Sequence, residues 1–214
     1  MNDGPLGIVG GTFDPVHFGH LRLAEEALDL LDLESVLWLP SGNPPQRQAV
    51  AAAAQRLAML RLAVTGQPRF EIDEAEISAT SPSYTVPALE RLRRRVGARR
   101  PLVLVLGADA FAGLASWHRW RDLFGLAHIA VATRPGAAVA EADPALAEEL
   151  GRRRAESPAA LRQHPAGAIV GFAMTPLAIS ATALRDRLGA GGSARYLLPD
   201  TVLDYIQRHR LYTA

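Results

Sequence analysis

Short apolar runs alternate along this chain with longer stretches of helical spacing. Leu6–Val9, Ser35–Leu39, Leu102–Leu106, Ile129–Thr133 and Ala168–Phe172 are rich in branched aliphatics and read as buried strands. Arg69–Asp73 reads as a shorter one. Leu21–Leu31 and Ala51–Val64 read as helices, the second with Leu57, Leu60 and Val64 on its apolar side and Arg56 and Arg61 turned towards solvent. A helix follows Ser81–Thr85 and runs to about Val96, its outer face carrying Glu90, Arg91, Arg93, Arg94 and Arg95 as a solvated cluster. A short helix is expected through Trp117–Trp120, another from Ile179, and a last one from Pro199. Ala137–Gln163 alternates alanine with charge and reads as an amphipathic helix between surface loops, with no repeat elsewhere.

Strand, helix, strand from Leu6 to Leu39 is a βαβ unit, which implies a parallel sheet with right-handed crossovers. The expected fold class is therefore α/β: a single Rossmann-like domain, its parallel sheet flanked by helices on both faces. The expected domain is 1–214, with 137–163 as a peripheral variable segment. In such sheets the ligand crevice lies at the carboxyl ends of the strands. The Gly10–Gly11 turn and the Pro40–Arg47 loop both open at that edge.

Composition narrows the chemistry. A chain of 214 residues, 49% of them hydrophobic, has ample material for one core. All 23 basic residues are arginine, so a Schiff base and a lysine phosphate clamp are excluded. The absence of cysteine excludes disulfides and thiol nucleophiles. A net charge of +1 gives no reason to expect nucleic acid as a partner. Neither a signal peptide nor a spanning apolar stretch is visible, so a cytoplasmic protein with no membrane association is expected.

The most informative stretch is Gly10-Gly11-Thr12-Phe13-Asp14-Pro15-Val16-His17-Phe18-Gly19-His20, placed between a strand and a helix. Glycines followed by a helix start can hold phosphate on backbone N–H groups. His17 and His20 share one face of that helix start and could donate hydrogen bonds to a reacting triphosphate. Ordinary helix-start histidines and a two-histidine metal site are the alternatives. The glycine pair favours the first reading, and the lack of an acidic third ligand at zinc-like spacing disfavours the last. Asp14 reads as turn chemistry. Ser180, Thr182 and Arg185 could bind phosphate together, or be a plain helix cap with a solvated arginine. Trp117 offers an aromatic face for a cationic ring, whereas Trp120 reads as core. Pro44-Pro45-Gln46-Arg47 alone reads as a surface loop.

These motifs together resemble the nucleotidyltransferases with a His-x-Gly-His signature, specifically the bacterial nicotinate mononucleotide adenylyltransferases. Ile179–Arg185 matches their second element, I-S-x-T-x-x-R, at every fixed position. The similarity runs through GADAF, the Trp117 segment, AHIAVATRPG, HPAGAI and LLPDTVLDYI. It implies adenylyl transfer from ATP to nicotinate mononucleotide, giving deamido-NAD and pyrophosphate, with Mg2+ accompanying the triphosphate and no protein metal ligand named. His17, His20 and Arg185 are implied to be catalytic. Gly10, Gly11, Thr12, Phe13, Arg47, Gly107, Asp109, Ser180 and Thr182 are implied to bind ATP. Tyr84, Thr85 and Trp117 are implied to form the pyridine pocket. Gln46 stands where that family commonly has histidine, which removes a possible charge. A nicotinamide-using enzyme, a sister adenylyl- or cytidylyltransferase, and a nucleotide-binding protein without catalysis are the alternatives. The sequence leaves the oligomeric state open.

Overall fold

The computed structural model describes residues 4–45, 49–133, 136, 143–175 and 177–213. Seven strands are formed: β1 Leu6–Gly11, β2 Ser35–Pro40, β3 Phe70–Ile72, β4 Leu102–Gly107, β5 His128–Thr133, β6 Arg154–Ala155 and β7 Ile169–Ala173. They hydrogen-bond in the order β3-β2-β1-β4-β5-β7-β6. The pairings β1–β4, β4–β5, β5–β7 and β6–β7 all run parallel. Helices α1 Phe18–Leu30, α2 Ala53–Val64, α3 Thr85–Val96, α4 Ala108–Ala112, α5 Leu123–Leu126, α6 Pro144–Arg153, α7 Ala181–Gly189 and α8 Asp200–Arg208 flank the sheet. The fold is α/β and Rossmann-like, as the sequence predicts.

By internal contacts the chain divides into two compact units. The first comprises Met1–Val9, Leu23–Leu37 and Tyr84–Thr175. Its centre is β4 and β5, where Leu102–Leu106 and Ile129–Ala132 are all buried. Both faces of these strands are covered, which is why they read as continuous apolar runs rather than alternating ones. Val86, Leu89 and Leu92 of α3 supply an inner helical face beside them. The second unit comprises Gly10–Arg22, Trp38–Ser83 and Pro176–Ala214. Here α2 packs on α8, and Trp38, Phe13, Met59, Leu60, Val202 and Ile206 are buried.

Four local expectations are corrected. Arg56 does not face solvent: it is 1% exposed, held by backbone carbonyls. Arg93 is not part of a solvated cluster either. Its guanidinium donates to the carbonyls of Leu126 (2.7 Å), Arg100 (2.6 Å) and Pro165 (2.6 Å). A guanidinium on a helix face can reach loops that sequence spacing never links to it. No continuous helix covers Trp117–Trp120; two 3-10 turns, Leu114–Ser116 and Trp120–Asp122, lie on either side of a break. Arg119 sits at φ 55°, outside helical geometry, and its side chain bridges Glu90 and Asp122. Trp120 is buried, as expected.

The fourth correction concerns the stretch after residue 142. Asp143 caps α6 by accepting from the N–H groups of Ala145 and Leu146, with Pro144 opening the helix. Beyond the expected amphipathic helix, the two residues of β6 extend the sheet beside β7. Two residues carry no periodicity to read. Among the described residues, no helix is long and apolar enough to cross a membrane.

Candidate active site

β1 delivers the chain into the turn that precedes α1. Phe13, at φ 50°, turns its ring inward against Trp38 (centroids 5.4 Å) and the edge of His20 (5.2 Å). Gly11 leaves room for that ring: a Cβ there would lie 2.9 Å from it. The two histidine rings stack, with centroids 3.7 Å apart and planes 26° off parallel. Gly19 permits the stack, because a Cβ there would meet the His17 ring at 3.0 Å, with the Ile179 carbonyl close behind.

The N–H of His17 donates to Nδ1 of His20 at 3.3 Å. This bond caps the helix and leaves Nε2 as the proton-bearing nitrogen of neutral His20. His17 Nδ1 is sealed without a partner, so Nε2 is the nitrogen of that ring left to meet a ligand. Burial lowers the pKa of His17 to about 4. Burial, with a smaller contribution from His17, lowers that of His20 to about 3. Both are neutral at pH 7 and donate as imidazoles.

Asp14 does more than turn the chain. It is 4% exposed, and its carboxylate accepts from Val50 N–H (2.6 Å), Ala51 N–H (3.2 Å) and the Tyr212 hydroxyl (2.6 Å). Burial and the Asp14 carboxylate both push the Tyr212 phenol upward, so it remains a donor at all ordinary pH values. The Asp14 carbonyl accepts from Arg185 Nη1 at 2.7 Å. Arg185 Nη2 reaches Thr182 Oγ1 at 3.3 Å. Ser180 caps α7 by accepting from Ala183 N–H at 3.2 Å, which leaves its own O–H free to donate. One unit thus brings Gly10–Phe13, His17, His20, Ser180, Thr182 and Arg185 to the same loop cluster.

In the other unit, β4 ends at Gly107, and Asp109 lies exposed in the first turn of α4. Tyr84 immediately precedes α3, which Thr85 opens. Its ring packs on His118, centroids 4.5 Å apart at 31°. Trp117, half-buried, is the neighbour of that histidine. Arg47 and Gln46 lie outside the described residues.

A cytidylyltransferase-like family model matches residues 8–187. The probable nicotinate-nucleotide adenylyltransferase of Dechloromonas aromatica is 57% identical over 97% of this chain and 97% of its own length. That of Laribacter hongkongensis is 50% identical over 97% and 94%. This chain belongs to the nicotinate-nucleotide adenylyltransferase family. At the level of fold, it is similar to the Plasmodium falciparum nicotinic acid mononucleotide adenylyltransferase complexed with NaAD, with a TM-score of 0.72 at 14% identity, covering 98% of this chain and 97% of that one.

Within this adenylyltransferase, sequence reasoning missed Arg56, Tyr212, His118 and the full part played by Asp14. The Asp-Pro pair signals a turn whatever its carboxylate does, and Tyr212 lies 198 residues from its partner. His118 carried a signal that went unused, since it sits beside the tryptophan already singled out. No group of three acidic, histidine or cysteine side chains that could hold a metal ion is found among the described residues.

Proposed function

We propose that this protein transfers the adenylyl group of ATP to nicotinate mononucleotide, forming deamido-NAD and pyrophosphate in NAD biosynthesis. The observation that carries this reading is the 57% identity, over nearly the whole chain, to a relative named for that activity. The stacked, neutral His17–His20 pair, with Arg185 tied to the Asp14 carbonyl of the same loop, suits the chemistry. An oxygen of the mononucleotide phosphate attacks the α-phosphorus of ATP. The bond from that phosphorus to the β-bridging oxygen breaks, and its electron pair leaves with pyrophosphate. The nucleophile is already anionic, so no general base is needed. Catalysis then consists of in-line positioning and charge stabilisation.

The Nε2–H of His20, the Nε2 of His17 and the Arg185 guanidinium donate to the phosphate oxygens as charge builds. Gly10, Gly11, Thr12 and Phe13 offer backbone contacts to ATP, Ser180 and Thr182 hold its phosphate tail, and Arg47 adds a cation. Gly107 and Asp109 receive the adenosine, the carboxylate taking the ribose hydroxyls. Tyr84, Thr85 and Trp117 take the pyridine ring. Mg2+ arrives as part of the MgATP substrate, since magnesium is held largely by phosphate and water. The chain acts as one cytoplasmic nucleotidyltransferase domain with 137–163 at its periphery.

The test is pyrophosphate release from MgATP with nicotinate mononucleotide, nicotinamide mononucleotide or phosphopantetheine. A large preference for the nicotinate substrate is expected. Equal use of both pyridine nucleotides makes the enzyme a dual-specificity one, and no release with any of the three overturns the reading.

A further inference from the structure

Arg56 is a buried cation of the second unit. Its Nη1 donates to the carbonyls of Thr12 and Ser41, both at 2.7 Å. Its Nη2 donates to the Gly42 carbonyl at 3.0 Å and its Nε to the Ala51 carbonyl at 3.1 Å. Among the described residues no carboxylate forms an ion pair with it, and Asp14 acts on it through the field. Four carbonyls from three separate loop segments therefore converge on one planar fork.

In a planar trans peptide the carbonyl and the following N–H point in opposite directions. Drawing three carbonyls towards Arg56 therefore turns the N–H groups of Phe13, Gly42 and Asn43 away from it. Two of these have a common target: Gly42 N–H and Asn43 N–H both donate to Ser83 Oγ, at 3.1 and 3.2 Å. The Asn43 carbonyl in turn accepts from Ser83 N–H at 2.9 Å. Gly42 is required here, because a Cβ would lie 1.8 Å from the Glu76 carbonyl oxygen. The third, Phe13 N–H, has no hydrogen-bond partner among the described residues. Phe13 is also held at positive φ, a conformation a non-glycine residue keeps only when its surroundings fix it.

We propose that Arg56 is a positioning residue of the adenylyl-transfer site, pinning the Thr12 carbonyl so that the Phe13 N–H is presented to an ATP phosphate oxygen. The same fork ties the Gly42–Asn43 amides to Ser83, the residue before Tyr84. This inference rests on the adenylyl-transfer reading for the identity of its ligand. A lysine in its place keeps the charge but offers three donors from a single point, which cannot hold four carbonyls at once.

The experiment reads backbone amides first and turnover second. 15N-labelled wild type and Arg56→Lys are titrated with the magnesium complex of α,β-methylene ATP at a temperature where both give native circular dichroism. In wild type the Phe13 amide moves on saturation. In Arg56→Lys that shift is lost, the free-state Gly42 and Asn43 signals move, and kcat/KM for MgATP falls about tenfold or more. A Phe13 shift and kcat/KM both within about twofold of wild type, with only a lower melting temperature, make Arg56 a structural residue and overturn the proposal. If Arg56→Lys does not fold, the wild-type titration decides, an unmoved Phe13 amide at saturation being the overturning result. Wild type that binds the analogue yet releases no pyrophosphate defeats the proposed reaction and leaves the amide titration as an independent measure of Arg56.

Discussion

Two arginines of this lysine-free chain gather backbone carbonyls, and they do so at opposite ends of strands. Arg93 collects Arg100, Leu126 and Pro165, carbonyls that lie shortly before β4, β5 and β7 begin. Arg56 collects Thr12, Ser41 and Gly42, directly after β1 and β2 end. The chemistry of the two clamps is the same, but their positions differ. In open α/β sheets ligands bind at the carboxyl ends of strands, so a clamp there shapes a site while one at the amino ends holds the scaffold. The histidines divide in the same way. His17 and His20 follow β1, whereas His128 opens β5, donating from Nε2 to the His164 carbonyl (2.7 Å) and accepting at Nδ1 from Ala168 N–H (3.0 Å). One set keeps ring nitrogens available to a ligand, and the other spends both within the protein.

The sharpest way to break this division is to remove a donor from the carboxyl end. His20→Ala is expected to lower kcat by about 10²–10³, the usual loss for one donor to developing charge. The measurement is steady-state pyrophosphate release beside a thermal melt. A variant that melts normally but turns over slowly supports the assignment, and one that loses melting temperature with unchanged kcat places His20 with the scaffold. At the amino end the opposite pattern is expected. Arg93→Ala takes a donor from three carbonyls, of which that of Pro165 keeps the Leu102 N–H at 3.2 Å, and should cost about 2–4 kcal/mol of stability. Urea unfolding measures it, and kcat/KM of the folded fraction should match wild type. A large fall in kcat/KM at a temperature where the variant is folded would remove the distinction between the clamps.

What could be read in the sequence follows the same line. The strands were legible because burial on both faces writes a continuous apolar run, as in Leu102–Leu106. The histidine pair was legible because its contact spans three residues, within one helical turn. Ser180, Thr182 and Arg185 were legible for the same reason, each falling within a turn of the next. The clamps were not. Arg56 reaches Thr12 across 44 residues, and Arg93 reaches Pro165 across 72. An arginine on a helix looks solvated until the loops that surround its guanidinium are folded into place. Tyr212 and Asp14 show the extreme case, since neither residue type at its position announces a partner in the other half of the chain.

Acid sharpens the comparison further, because the carboxyl-end histidines are held neutral mainly by burial, and His20 also by the His17 N–H that its Nδ1 accepts. Their folded pKa values, about 4 for His17 and about 3 for His20, lie below the ordinary 6.5. Between those limits the unfolded chain binds more protons than the folded one, so stability falls as pH falls. These two groups make no contribution to the slope above about pH 6.5. Below it the loss grows until pH 4 for one ring and pH 3 for the other, reaching about 2 kcal/mol per histidine at pH 5. His128, lowered mainly by burial, adds a loss of the same sign at the amino end. His20→Asn keeps an acceptor for the His17 N–H and removes one titrating group, so its urea midpoint should fall less than that of wild type between pH 7 and pH 5. Magnesium-bound α,β-methylene ATP should flatten the wild-type slope as well, since phosphate oxygens beside His17 and His20 favour the protonated rings while nothing anionic reaches His128. Equal slopes with and without the analogue at saturation would mean that the stacked pair does not face the phosphates.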